Sequence, residues 1–265
     1  MANPKRVKNR ITAIGKIKKI ANALEIVALT RLRRIEISTM AARGYFDRIR
    51  DVLFGMAGSI NFKFHPFLRA RSPVKCVGVI AIFSDKGLCG NFNANVAIKL
   101  FEFISKLAGK TVRTVIIGKK GAKYIKDASS ASFIEDFLAG TIDEVFLLYS
   151  RFRLHLLGEV KIVKLLPVVP DEKAEREDRL ARDYIYDPGA FSVFDKLARE
   201  YIANQIQHGK LESKCAEEMS RMLAMKSASE NADEVLAKLE LAYNKDRQAS
   251  ITRELTEIIA AAEAA

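Results

Sequence analysis

Residues 5–35 read KRVKNRITAIGKIKKIANALEIVALTRLRRI. Apolar residues recur here at alternating intervals of three and four, through Ile14, Ile17, Ala21, Leu24 and Ala28, and then Ile35 beyond a charged Arg31. That is the seam of a coiled coil. No proline interrupts the chain between Lys5 and His65, Pro4 suits a first helical turn, and His65-Pro66 suits a stop. The spacing therefore predicts a helix of up to ~60 residues, a rod of ~90 Å at a rise of ~1.5 Å per residue. Gly15 and Gly44 weaken it by ~1 kcal/mol each relative to alanine.

A second proline-free stretch runs from Gly189 to Ala265. Its apolar seam passes through Met222, Ser229, Ala232, Leu236, Leu239 and Tyr243, and a further set is Ile251, Leu255, Ile258 and Ala262. Neither terminal helix is apolar all round. The economical arrangement packs the two antiparallel against each other.

Between them the period changes to that of strands. Val74–Phe83, Thr111–Ile117, Glu144–Tyr149 and Glu159–Leu166 are rich in β-branched residues, and a helical stretch, Phe92–Leu107, separates the first two. Strand, helix, strand implies a crossover and a mainly parallel sheet. Pro167, Pro170 and the mixed-charge stretch Asp171–Asp183 read as an exposed connection. The expected fold is α/β: a long antiparallel two-helix coiled coil from the terminal helices, residues 1–65 and 189–265, with residues 66–188 inserted as an α/β domain.

The chain has 265 residues, 49% apolar and 29% charged, with 6 Pro and 14 Gly, which excludes a disordered or fibrous protein. No apolar run approaches the ~20 residues of a membrane span. Three cysteines, Cys76, Cys89 and Cys215, give neither a CxxC pair nor an even set, and point to a reducing compartment. The start, Met-Ala-Asn-Pro-Lys, lacks the apolar segment of a secretory signal. Of the net charge of +12, residues 1–50 supply +10, from 13 Lys/Arg against three acids. So basic a segment expects an acidic partner, whether nucleic acid, an anionic membrane surface or an acidic protein surface.

Catalytic signatures are sparse. After the first strand, Ser84-Asp85-Lys86-Gly87-Leu88-Cys89-Gly90-Asn91 feeds a helix N-terminus, where phosphates can bind. It fits neither GxGxxG nor GxxxxGK[ST], and a tight structural turn is the preferred reading. His65, His155 and His208 are isolated from one another in sequence. No metal-ligand spacing or paired-carboxylate pattern appears, so neither a metal, a cofactor nor a catalytic residue is expected.

The run Met225–Ala232 (MKSASENA) followed by Leu239–Ile258 (LELAYNKDRQASITRELTEI) closely resembles the C-terminal helix of the gamma subunit of F-type ATP synthases. Three further segments agree in family order: Ile11–Arg34, ending VALTRLRR; the loop Ser84–Gly90; and Tyr184-Ile185-Tyr186-Asp187-Pro188. The chain departs from the family at Lys16-Ile17, where Asn-Thr is usual, at Leu24 for Met, at Ala261 for Gly, and at Asn91-Phe92-Asn93, where Gly-Leu-Asn is common. The cysteine-bearing insertion of the chloroplast form is absent, which points to the bacterial type.

The resemblance implies a Rossmann-like inserted domain and a central rotor shaft that catalyses nothing itself. Its implied partners are the alpha and beta subunits of an alpha3beta3 ring, the epsilon subunit and the c ring. It implies a peripheral position on the cytoplasmic face of the bacterial plasma membrane, with no nucleic acid bound and no direct membrane span. Arg247, Gln248, Thr252 and Glu254 fall where the family contacts beta catch loops, and Tyr184 and Tyr186 where the foot meets the c ring and epsilon. The competing reading of the residues is a basic coiled-coil nucleic-acid-binding protein, which the missing interleaved aromatics and helix-turn-helix pattern weigh against.

Overall fold

A computed structural model describes residues 4–57, 65–124, 132–152, 159–169 and 189–263, without the side chains of Pro4, Arg43, Ala57, Glu254, Ala260 and Glu263. The elements are α1 (Pro4–Ala57), β1 (Cys76–Ile82), α2 (Phe92–Lys106), β2 (Thr111–Ile117), a 3-10 turn (Lys119–Lys123), α3 (Phe133–Ala139), β3 (Glu144–Ser150), β4 (Val160–Leu166) and α4 (Ala190–Glu263). Both long helices contribute to two compact units: residues 1–30 with 221–265, and residues 31–220.

In the larger unit the strand order is β2-β1-β3-β4, with β1 parallel to both neighbours and β4 antiparallel on the edge. Alternation along β1 builds two cores. Val77, Val79 and Ala81 face Val96, Ala97 and Leu100 of α2. Ile80 and Ile82 face the opposite way, into a cluster with Leu53 and Met56 of α1, Phe133 and Phe137 of α3, and Phe194, Ala198 and Ile202 of α4. A sheet covered on both faces explains why these strands read as nearly continuous apolar runs. The two long helices meet here as antiparallel neighbours, since Phe54 touches Tyr201, Phe46 touches His208 and Arg31 lies 4.0 Å from the buried Glu218.

The helix expected to reach His65 is described only to Ala57. His65 itself is not helical, and its carbonyl accepts N–H bonds from Leu68 at 2.9 Å and Arg69 at 3.2 Å in a turn. The connection at residues 171–183 lies outside the described residues.

In the smaller unit, Lys18 of α1 lies 2.5 Å from Asp233 of α4. Seven-residue spacing holds, and the seam departs from the expected one at Ile17. Val7, Ala21 and Ala28 are buried, and Ile11, Ile14, Lys18, Leu24 and Glu25 are half-buried, while Ile17 is 57% exposed. The seam steps from Ile14 to the half-buried Lys18, whose ammonium reaches Asp233. Apolar residues flank both candidate positions, so periodicity alone did not distinguish them. On α4 the expected seam holds from Ser229 to Tyr243, with Ser229 and Ala232 buried and Leu236, Leu239 and Tyr243 half-buried. It then fails, because Ile251, Leu255, Ile258 and Ala262 are exposed. α1 begins at Pro4, as far before Lys18 as Arg247 lies after Asp233, so α4 beyond Arg247 has no described α1 residue opposite it.

Candidate partner-binding surface

Small residues make the inner seam of the smaller unit. Ala21, Ala28, Ser229 and Ala232 are all at most 8% exposed, and side chains of this size let two helix backbones approach closely. Many larger apolar residues lie outside the seam: Ile17, Ile20, Ile26 and Val27 on α1, and Val235, Leu241, Ile251, Leu255, Ile258 and Ile259 on α4, are exposed. Solvated apolar surface on this scale marks an interaction face. Residues 1–30 also carry seven Lys/Arg against a single Glu, so the α1 side of that face is strongly basic.

Arg247 and Gln248 are both exposed, at the place where the described two-helix pairing gives way to α4 alone. Adjacent helical residues point ~100° apart, so this pair spans a broad arc. Thr252 stands one turn on, exposed, with its hydroxyl donating to the Gln248 carbonyl at 3.0 Å. Gln248 and Thr252 therefore share a face. The Glu254 side chain, Tyr184 and Tyr186 lie outside the described residues.

The glycine-containing loop after β1 turns its polar groups inward. Ser84 is fully buried; its N–H donates to Asn93 Oδ1 at 3.0 Å, its hydroxyl donates to the Lys86 carbonyl at 2.8 Å, and Asn93 Nδ2 donates to Ser84 Oγ at 2.8 Å. The Lys119 N–H donates to Asp85 Oδ1 at 3.2 Å, and the Lys120 N–H to the Ser84 carbonyl at 2.9 Å. Gly118 has φ of 109°, and a Cβ there would lie 2.1 Å from the Phe83 carbonyl oxygen, so only glycine lets the end of β2 approach β1 so closely. Cys89 is 3% exposed and packs against this network.

The carboxyl ends of β1 and β3 are adjacent, the position where open α/β sheets usually bind ligands. Here α4 fills it. Ser213 Oγ accepts the Ser150 N–H at 3.1 Å, Glu212 accepts the Phe152 N–H at 3.3 Å, and the Ser220 hydroxyl donates to the Cys89 carbonyl at 2.9 Å. Gly209 lies so close that a Cβ would come within 2.9 Å of Leu147. The sequence reading missed this seat; a lone glycine inside a long, otherwise good helix was its only signal. Among the described residues no group of His, Cys, Asp and Glu is placed to hold a metal ion, and no helix is long and apolar enough to cross a membrane.

A family model described as ATP synthase matches residues 3–265. The ATP synthase gamma chains of Janthinobacterium sp. (strain Marseille) and Herminiimonas arsenicoxydans are each 37% identical over 290 aligned residues, covering 100% of both chains. The chain belongs to the ATP synthase gamma chain family. Its fold also resembles a chain in the mitochondrial ATP synthase of Euglena gracilis, with a TM-score of 0.67 at 17% identity, covering 98% of this chain and 94% of that one. The gamma chain fold accounts for what the sequence pattern alone leaves odd: two terminal helices paired with each other and a sheet inserted between them in sequence.

Proposed function

We propose that this gamma chain is the central rotor shaft of an F-type ATP synthase of bacterial type and is itself non-catalytic. Residues 1–65 and 189–265 form the shaft and residues 66–188 the inserted domain. The shaft stands within the ring of alpha and beta subunits, and the inserted domain forms the foot on the c ring beside epsilon. The chain is peripheral, on the cytoplasmic face of the plasma membrane.

The observation that carries this reading is the apolar surface the smaller unit leaves outside its seam, where Ala21, Ala28, Ser229 and Ala232 are buried while Ile17, Ile20, Ile26, Leu241, Leu255 and Ile258 are exposed. A pair that kept all its apolar bulk for itself would be a self-sufficient coiled coil; this one also presents large apolar residues outward, beside a basic face, to a surrounding partner. An ion crossing ~150 mV yields only ~3.5 kcal/mol, so several must act through one mechanical element for each ATP. Attraction between a basic shaft and acidic surfaces, screened within ~8 Å, guides a turning surface without locking it. Arg247 and Gln248, with Thr252 and Glu254, contact the beta catch loops, and Tyr184 and Tyr186 contact the c ring and epsilon.

Co-purification of the full chain with alpha and beta subunits, followed by ATPase assay of the assembly, tests the reading. A stable assembly whose ATPase responds to shaft substitutions supports it. Retention on DNA that falls steeply with salt, with no alpha or beta bound, would replace it with the nucleic-acid reading.

A further inference from the structure

His65 is 1% exposed and belongs to neither the sheet nor a helix. Its ring lies 4.5 Å from that of Phe191 and 4.6 Å from that of Phe194, both in the first turns of α4, and 5.6 Å from Phe67 in its own turn. Nδ1 accepts the Phe67 N–H at 3.4 Å. The ring proton therefore sits on Nε2, which is buried without a hydrogen-bond partner. Phe67 is in turn tied to the strand end, because its carbonyl accepts the Val168 N–H at 2.8 Å.

We propose that His65 is an acid-responsive pin, whose neutral imidazole holds the turn at residues 65–69 against the start of α4 and whose protonation releases that contact. A proton added at Nδ1 would face the Phe67 N–H donor directly, so the hydrogen bond becomes a clash of two donors, and the new charge sits against the fully buried Phe67 and Phe194 rings. Charged groups nearby do little to compensate. Asp195 of α4 is half-buried and its carboxylate accepts a bond from Arg199 at 3.1 Å. Arg199 stacks over the Phe67 ring at 5.6 Å, and Arg69 of the turn is exposed. The residues of α1 in this core, Leu53 and Met56, are apolar, as is Val168. Burial accordingly holds the His65 pKa below its ordinary 6.5 against the opposing pull of Asp195.

The sign follows. An open turn takes up a proton that the closed turn refuses, so opening grows by up to about tenfold per pH unit as pH falls from 6.5 toward the folded pKa. Asp143, whose carboxyl is held below its usual 3.8, acts in a more acid range.

The test is an NMR titration of the His65 imidazole in the full chain, with amide exchange at Phe67 and Phe194 followed from pH 7.5 to 5.0 and corrected for intrinsic rate. The expected result is titration below 6.5 and opening that rises up to about tenfold per unit. His65→Asn, whose Oδ1 can accept the Phe67 N–H but does not titrate, should flatten the slope. His208→Gln, at the other histidine described in this unit, should leave it unchanged. Titration of His65 at or above 6.5 overturns the proposal, as does an equal slope in His65→Asn. If His65→Asn fails to fold, the titration in the unsubstituted chain decides alone.

Discussion

Ser213 of α4 accepts the backbone N–H of Ser150, the last residue of β3, at 3.1 Å, and both residues are buried. The next N–H, on Arg151, turns the other way to the Glu159 carbonyl at 2.8 Å. Backbone groups alternate sides along a strand, so Ser150 points toward β1 just where β1 has ended. A helix side chain thus replaces a missing rung of the ladder. Ser213→Ala leaves a buried N–H without its acceptor and should destabilise the chain by about 1–3 kcal/mol. Urea denaturation of the full chain, with slower exchange at Ser150 as the local signature of the intact bond, checks this.

Two helical glycines should respond oppositely. At Gly44 a Cβ meets nothing within 4 Å, so Gly44→Ala should stabilise by about 0.5–1 kcal/mol through helix propensity alone. At Gly209 a Cβ would lie 2.9 Å from Leu147 and 3.4 Å from Ile82 and Tyr149. Gly209→Val adds further bulk against the sheet and should cost about 1–3 kcal/mol. Thermal unfolding of both variants against the parent should move in opposite directions.

The seam of the smaller unit makes a third test. Ala28 is fully buried, so Ala28→Leu should force the helices apart and cost about 1–3 kcal/mol. Ile17, at 57% exposure, should tolerate Asp within about 0.5 kcal/mol in the isolated chain. In the assembly the order should reverse at Ile17, with Ile17→Asp weakening association with the alpha and beta subunits. Circular dichroism melting and co-purification separate the two effects.

Alkaline pH should destabilise the larger unit. Burial raises the Cys215 thiol to about 11 and the Tyr149 hydroxyl to about 12. Each group keeps its proton when folded after the unfolded chain has released it, so stability is complete below pH 9 and falls as pH rises through 9–11 for the thiol and 10–12 for the phenol. The combined loss by pH 11 should be on the order of 4 kcal/mol. Cys215→Ala should flatten the part of the slope that begins near pH 9, and denaturation midpoints at pH 8 and 10.5 read it.

Legibility followed the kind of interaction. The strand around Cys76–Ile82 was readable because burial on both faces demands a continuous apolar run, the one at Thr111–Ile117 from its β-branched residues, and both long helices from the spacing of their apolar residues. The register of the seam was not, since Ile17 and Lys18 both lie one step from Ile14 and Ala21, and only the partner helix decides between them. The seat of α4 on the sheet depends on Gly209, Ser213 and Ser220 meeting residues more than 60 positions away, and small polar residues in a helix carry no periodic signal. Arg247 and Gln248 stood out only through the resemblance to a family. Composition gives no reason to prefer them over other exposed polar residues of α4.

The position of that pair supplies the last prediction. Arg247 and Gln248 are exposed, and neither is part of the seam that holds α4 against α1, so replacing both by Ala removes polar groups without removing packing. The isolated double variant should melt within about 0.5 kcal/mol of the parent, as ordinary surface substitutions do. In the assembled complex the effect should be larger. An arginine that forms charge-assisted bonds to a partner contributes roughly twice what a neutral bond does, and truncating such a contact costs about 2–5 kcal/mol where the partner group is left buried and unpaired. Coupled ATPase and ATP synthesis should therefore fall by at least about tenfold, the equivalent of ~1.4 kcal/mol. Gln248→Glu tests the sign of the partner surface: an added negative charge should depress coupling further if the catch loops are acidic and should be harmless if the face is neutral. Parent-like rates for the double variant, both with and without an opposing ion gradient, would remove these residues from the drive. The exposed apolar residues Ile251, Leu255 and Ile258 would then be the next to test.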